Sequence, residues 1–151
     1  MWADNYKKFL YDGVDANDGY SMEESDAALQ KYFRDITSGT KPSQSNAEVF
    51  YKVRNGALHI LATKYKRDTK SVLDTSYKIG MAKNHDYGTI NILKYGVVGI
   101  IVRLNDKISR AVNLLKAGST TQVADEKIED TIMDMINYAT YGIMLCHDIW
   151  T

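Results

Sequence analysis

Several features that would assign this chain to a familiar class are scarce or missing. It has a single cysteine, Cys146, in 151 residues, which excludes an intramolecular disulfide framework and a Cys-rich zinc site. That cysteine sits in the apolar run Ile143–Met144–Leu145–Cys146, so a buried, inert thiol is expected rather than a nucleophile. A single proline, Pro42, points away from sheet-and-loop architectures. The longest apolar run, Val97 to Val102, is far too short for a membrane span. The start, Met1–Trp2–Ala3–Asp4–Asn5, has no apolar stretch behind a basic segment, so no secretory signal is expected and the chain is expected in the cytoplasm. Net charge is lacking too: 19 basic residues cancel 19 acidic ones. General coating of nucleic acid, which rests on neutralising phosphates, is therefore not expected. No Gly-x-x-x-x-Gly-Lys loop, no Gly-x-Gly-x-x-Gly turn and no pair of histidines at metal-binding spacing occurs.

What is present reads as helix. Apolar residues make up 44% and charged residues 25%, enough for one globular domain with its own core. Ser21–Met22–Glu23–Glu24 has capping-box form, and Leu29, Tyr32, Phe33 and Ile36 follow at helical spacing up to Ser38–Gly39. Ser45–Asn46–Ala47–Glu48 repeats the box ahead of a stripe through Val49, Phe50, Val53, Ala57, Ile60 and Leu61, predicting a helix to about Tyr65. Asp68 is placed to cap the next one. Lys83–Asn84–His85–Asp86–Tyr87–Gly88 reads as a polar turn. A long helix is predicted from Ile90 to Ala117, kinked near Gly96 or Gly99 and stopped by Gly118. A last helix runs from about Ala124 to Ile149 and packs antiparallel to it. The fold class expected is all-α, a helical bundle with two long antiparallel C-terminal helices.

Those two helices carry the faces with the richest chemistry. At about 100° per residue, Ile128, Ile132, Met135, Ile136, Ala139, Ile143 and Cys146 form one side of the last helix. Glu126, Asp130, Asp134 and Asn137 form another, with Glu129 at the border. Four carboxylates, Glu126, Glu129, Asp130 and Asp134, fall within nine residues and repel one another unless a cation is near. On the preceding helix Arg103, Asp106, Lys107, Arg110 and Asn113 share the polar side, with Gly99 one turn before Arg103 leaving room for a ligand. Stacked carboxylates suit Mg²⁺, which takes oxygen ligands, and arginines suit phosphate oxygens. A solvated face laced with interhelical ion pairs accounts for the same pattern.

The strings Lys83–x–x–Asp86–Tyr87–Gly88, Arg103–x–x–Asp106–Lys107–x–x–Arg110 and Glu129–Asp130–Thr131–x–x–Asp134–x–x–x–Tyr138–Ala139 resemble the nucleotide-modification-associated domain, type one, of phages and bacteria. The resemblance spans about residues 75 to 148. That family is similar to the all-α nucleoside triphosphate pyrophosphohydrolases of the MazG and dimeric dUTPase group. It implies a MazG-like bundle, a phosphorylated ligand such as a nucleotide, Mg²⁺ as cofactor, a homo-oligomer with sites between subunits, and the cytoplasm of a bacterial or phage-infected cell. Carried onto this sequence, Asp106, Glu129, Asp130 and Asp134 are the implied metal ligands, the last three at the reacting centre. Lys83, Asp86, Tyr87, Arg103, Lys107 and Arg110 are the implied ligand contacts. Asp130 and Asp134 lie four apart rather than three, and the family's first acidic motif has no counterpart on the facing helix.

Three readings follow: a Mg²⁺-dependent pyrophosphohydrolase, a nucleotide-binding protein without the chemistry that sequesters a nucleotide such as a host immune signal, and a structural or interaction bundle. Of the three histidines, His59 is expected in the core, His85 in a loop, and His147 near a partner subunit. Residues 1–70 belong to the same domain and match no family motif.

Overall fold

The computed structural model describes residues 1–116 and 122–150, and of residues 122–126 the backbone alone. Gly118, the expected helix stop, and the side chain of Glu126 lie outside the described residues. Among those described, seven α-helices and no strand occur: α1 Trp2–Tyr11, α2 Met22–Thr37, α3 Ala47–Thr63, α4 Thr69–Tyr87, α5 Ile90–Leu93, α6 Gly96–Lys116 and α7 Gln122–Cys146. The all-α bundle with its long C-terminal pair is as the periodicity indicated. No helix among the described residues is long and apolar enough to cross a membrane.

Local chemistry fixes most helix starts. Ser21 Oγ accepts from Glu24 N at 3.1 Å while Glu24 Oε1 accepts from Ser21 N at 3.0 Å, so each side chain satisfies the other's orphan donor. Asp68 accepts from Ser71 N at 3.0 Å and opens α4. The box expected at Ser45–Glu48 forms two residues upstream instead: Asn46 Oδ1 accepts from Ser43 N at 3.0 Å across a 3-10 turn, Gln44–Asn46, that leads into α3. Glu48 pairs with Lys52 at 3.6 Å.

The expected turn at Lys83–Gly88 is helical, because α4 runs through Tyr87 and ends only at Gly88, whose φ is +77°. The expected helix from Ile90 is broken rather than kinked. A short α5 ends at Leu93, and α6 begins at Gly96, whose φ of +57° glycine tolerates. Helix α7 stops at Cys146, short of Ile149. Asp148 turns left-handed there (φ +55°), Ile149 N bonds back to Met144 O at 3.1 Å, and Trp150 returns to a buried position.

Helix α7 is the hub, packed most heavily on α3 and α6 and also on α1 and α4. It runs antiparallel to α6, since Lys107 meets Asp134 and Arg103 meets Tyr138. Close approach requires glycine at positions on both α3 and α7. A Cβ on Gly56 of α3 would lie 1.9 Å from the Tyr20 carbonyl, and one on Gly142 of α7 would lie 2.6 Å from the Phe50 ring. Arg54 is fully buried in α3. Its Nη1 donates to Phe9 O at 2.9 Å, Nη2 and Nε donate to Asn55 Oδ1 at 3.1 and 3.3 Å, and the guanidinium lies over Tyr51. Burial pulls its pKa down to about 10, so it stays charged at neutral pH. Cys146 is buried beside Tyr32 Oη at 3.5 Å, and burial pushes its thiol pKa up, as an inert thiol requires.

Candidate functional site

The polar face of α7 meets α4 and α6 at Asp134. Lys83, near the C-terminal end of α4, reaches Asp134 Oδ1 at 3.2 Å, and Lys107 on α6 reaches Oδ2 at 2.9 Å. Three helices thus converge on one carboxylate. One turn further along α7, Tyr138 lies beneath the guanidinium of Arg103, 5.6 Å from the ring centroid, a cation–π distance.

This Arg103–Tyr138 pair divides two concavities. On one side is a cavity of about 330 Å³ walled by Trp2, Tyr87, Tyr138, Tyr141 and Trp150, with Ile92, Asn84 and Asn91 from the α4–α5 region and Lys83 and Asp134 at its charged edge. That volume is near the lower end of the small-molecule range. On the other side is a depression of about 290 Å³ formed by Arg103, Asp106, Lys107, Arg110 and Tyr138. Across the two, the cations Lys83, Arg103, Lys107 and Arg110 face the carboxylates Asp106 and Asp134, a local excess of positive charge on a chain of zero net charge.

The floor of the cavity is stiff. Tyr6 on α1 shares its one hydroxyl proton between Asn137 Oδ1 and Ser76 O (2.9 Å), and Asn137 Nδ2 donates to Ser76 O at 3.1 Å. All three residues are buried, and burial drives the Tyr6 pKa far upward. A Cβ on Gly80 would lie 2.0 Å from the Tyr6 hydroxyl, so α4 must carry glycine there. Trp2 stacks on Tyr6 at 5.0 Å and meets Trp150 edge-on at 5.5 Å, with Tyr141 5.4 Å from Trp150.

Of the residues singled out in the sequence, Lys83, Tyr87, Arg103, Lys107, Arg110, Asp106 and Asp134 line one concavity or the other. Asp86, Glu129 and Asp130 line neither. Glu129 is taken by Arg67 in a two-pronged pair, Nε–Oε1 2.6 Å and Nη2–Oε2 3.1 Å, and that partner pushes the Arg67 pKa up. Asp130 is exposed. Asn137, expected on the polar face, is 5% exposed and belongs to the core. The room expected beside Gly99 is filled, because a Cβ there would lie 2.8 Å from Tyr95 Cβ. His59 is exposed, with Nδ1 2.9 Å from Ala16 O, rather than in the core. His85 lies exposed on α4, not in a loop, and His147 rests on Phe9 with ring centroids 5.0 Å apart. Sequence reasoning missed Trp2, Tyr141 and Trp150. Their only signal was aromatic richness, because they lie at opposite ends of the chain.

A magnesium site asks for carboxylate oxygens free to coordinate. Among the described residues no three acidic, histidine or cysteine side chains lie close enough together to hold a metal ion. Both oxygens of Asp134 face ammonium groups, and Glu129 faces a guanidinium. The four carboxylates that the family resemblance implies as ligands therefore do not fit a metal within one chain.

Comparison with known proteins locates the same stretch. Residues 83–145 match the family of nucleotide modification associated domain 1. The matched segment covers less than half of the chain and runs from Lys83 through most of α7, so it includes every cation of the site. The family's description is an association with nucleotide modification, and the match specifies no enzyme activity. No curated protein matches the chain. No solved structure matches it either.

Proposed function

We propose that this protein binds a nucleotide and does so without a metal ion. The ring occupies the aromatic cavity, and the phosphates lie across Arg103 onto Lys107 and Arg110. One observation carries this reading: an aromatic cavity and a cationic depression share a wall, the Arg103–Tyr138 pair. Stacking surface and phosphate donors are thus one residue apart, as a nucleotide's own geometry requires. Arginine supplies fork-shaped donors to phosphate and lysine supplies point charge. Asp134 holds Lys83 and Lys107 in place while no anion is bound. The cytoplasm of a bacterial or phage-infected cell, where nucleotides are abundant, suits this role.

Calorimetry with nucleoside triphosphates in EDTA and in Mg²⁺ tests the proposal. Binding is expected in EDTA, with the ligand recovered intact. Arg103→Ala is expected to weaken it at least tenfold, in line with loss of a charge-assisted pair. Asp134→Asn decides between binding and metal-dependent cleavage. Removing this carboxylate leaves the lysines with excess positive charge, so anion affinity should rise severalfold. Pyrophosphate release that needs Mg²⁺ and vanishes in Asp134→Asn would overturn the proposal in favour of the pyrophosphohydrolase reading. The carboxylates missing within one chain would then have to come from a second copy.

A further inference from the structure

Trp2 lies outside the matched segment, at the far end of the sequence, yet it is part of the cavity wall. It is 7% exposed, and its indole Nε1 is buried with no hydrogen-bond partner among the described residues. Trp150, on the same wall, donates its own Nε1 to Thr89 O at 2.7 Å. Indole nitrogen is a donor only, so nothing but an acceptor satisfies it. Leaving a buried donor unmet costs about 1–3 kcal/mol, and native interiors leave few such groups.

The wall facing this region yields easily. No residue from 88 to 96 is buried. Gly88 and Gly96 at its ends both have positive φ, with open space where a Cβ would stand. It is held by the Trp150–Thr89 bond and by Ile92, half-buried against the core. An occupant of the cavity that displaces this stretch moves no fully buried residue of it.

Resting on the nucleotide reading, we infer that Trp2 is a specificity-determining contact: its Nε1 donates to an acceptor on the ligand's ring, a carbonyl oxygen or an unprotonated ring nitrogen. The site then takes a phosphorylated heteroaromatic ring and discriminates against sugar phosphates and inorganic polyphosphates, which offer the cations the same phosphates but present no ring. The N-terminal helix, beyond the matched segment, supplies this selectivity.

The experiment compares three probes on the full chain and on Trp2→Phe: the common nucleoside triphosphates, inorganic triphosphate, and a triphosphate whose base is an apolar ring isostere. Trp2→Phe keeps an aromatic ring and removes the donor. It is expected to weaken the best natural nucleotide about five- to tenfold and to leave the other two probes within about twofold, the scatter expected for an uninvolved residue. The chain has two tryptophans, so two indole ¹⁵N–¹H signals report directly on the unmutated protein. The Trp2 signal should shift with nucleotide and not with inorganic triphosphate, which also decides the matter if Trp2→Phe does not fold. Equal loss for all probes, no loss, or an unmoved Trp2 signal on nucleotide binding overturns the inference while the nucleotide reading stands. If inorganic triphosphate binds and nucleotides bind no better, the ring contact is wrong and the phosphate row survives. If neither binds, the nucleotide reading itself fails and this inference with it.

Discussion

The two halves of α7 differ in both charge and surroundings: every charged residue of the helix precedes Met135, yet polar side chains occur in both. From Glu129 to Asp134 two of its carboxylates meet cations from elsewhere in the chain: Glu129 meets Arg67, just before α4, and Asp134 meets Lys83 on α4 and Lys107 on α6. From Asn137 to Cys146 the helix is enclosed by α1, α3 and α4, and its polar groups are spent inside the core, Asn137 on Tyr6 and Ser76, Thr140 on the Ile136 carbonyl. Asp134 and Asn137 are three residues apart and read alike on a helical wheel. One holds two lysines in place at the edge of a cavity and the other fixes its floor. A polar stripe on a helix therefore acquires its meaning from what covers it, and the cover changes within a single turn.

The reciprocal exchange tests this contrast most severely. Asn137→Asp places a buried carboxylate against the Ser76 carbonyl, where Asn137 Nδ2 now donates, and a loss of about 3 kcal/mol or more is expected by denaturant unfolding. Asp134→Asn, the mirror change, should shift stability by less than about 1 kcal/mol, because its ion pairs are partly exposed. Equal losses would mean that the two halves are not different environments. Next in size, Tyr6→Phe removes the donor shared by Asn137 and Ser76 and is expected to lower stability by about 1–3 kcal/mol, with an unchanged urea slope.

Alkaline pH probes the enclosed half by titration. Burial raises the pKa of Tyr6, Tyr32 and Tyr141, and Tyr11, desolvated and bonded to Asp74, is pushed up to about 12 from the ordinary 10.0. Above pH 10 the unfolded chain loses these protons while the folded chain keeps them. Their contribution is complete below pH 10, and for Tyr11 it is lost between there and about 12. Arg54 opposes this, since its folded pKa of about 10 lies below 12.5 and stability gains as pH rises through that window. With four tyrosines against one arginine, net destabilisation is expected. The chain has eleven tyrosines, of which Tyr87 and Tyr95 are exposed. The last part of the tyrosinate absorbance is therefore the one that should rise together with loss of helical circular dichroism, and full tyrosinate absorbance with helix intact would contradict the enclosed floor. The last test is at the charged end. Arg67 is half-exposed but its partner Glu129 is 14% exposed, so Arg67→Ala should cost about 1 kcal/mol, and a coupling well above that by double-mutant cycle with Glu129→Ala would show that this half is as enclosed as the other.

Much was legible in advance. The boxes and caps at Ser21 and Asp68, the apolar stripes and the lone buried cysteine follow from bonds made within a few residues, and those bonds are written in local order. The cation row Arg103, Lys107 and Arg110 was legible for the same reason, since positions three and four apart share a helix face. The break before Gly96 was anticipated only as a kink, because a glycine signals freedom without stating which conformation is adopted. His59 was misplaced because its apolar neighbours in sequence face other directions in a helix.

The sequence by itself determined an all-α chain, the helix starts at Ser21 and Asp68, and which side chains share each face, because helical periodicity and capping act over one or two turns. Only the tertiary structure decided that Lys83 and Lys107 would close on Asp134, that Glu129 would go to Arg67, and that Trp2 and Trp150, almost the whole chain apart, would wall the same cavity. Those pairings depend on which helices lie against α7 and at what height, and that is set by the packing of the entire core rather than by any local pattern.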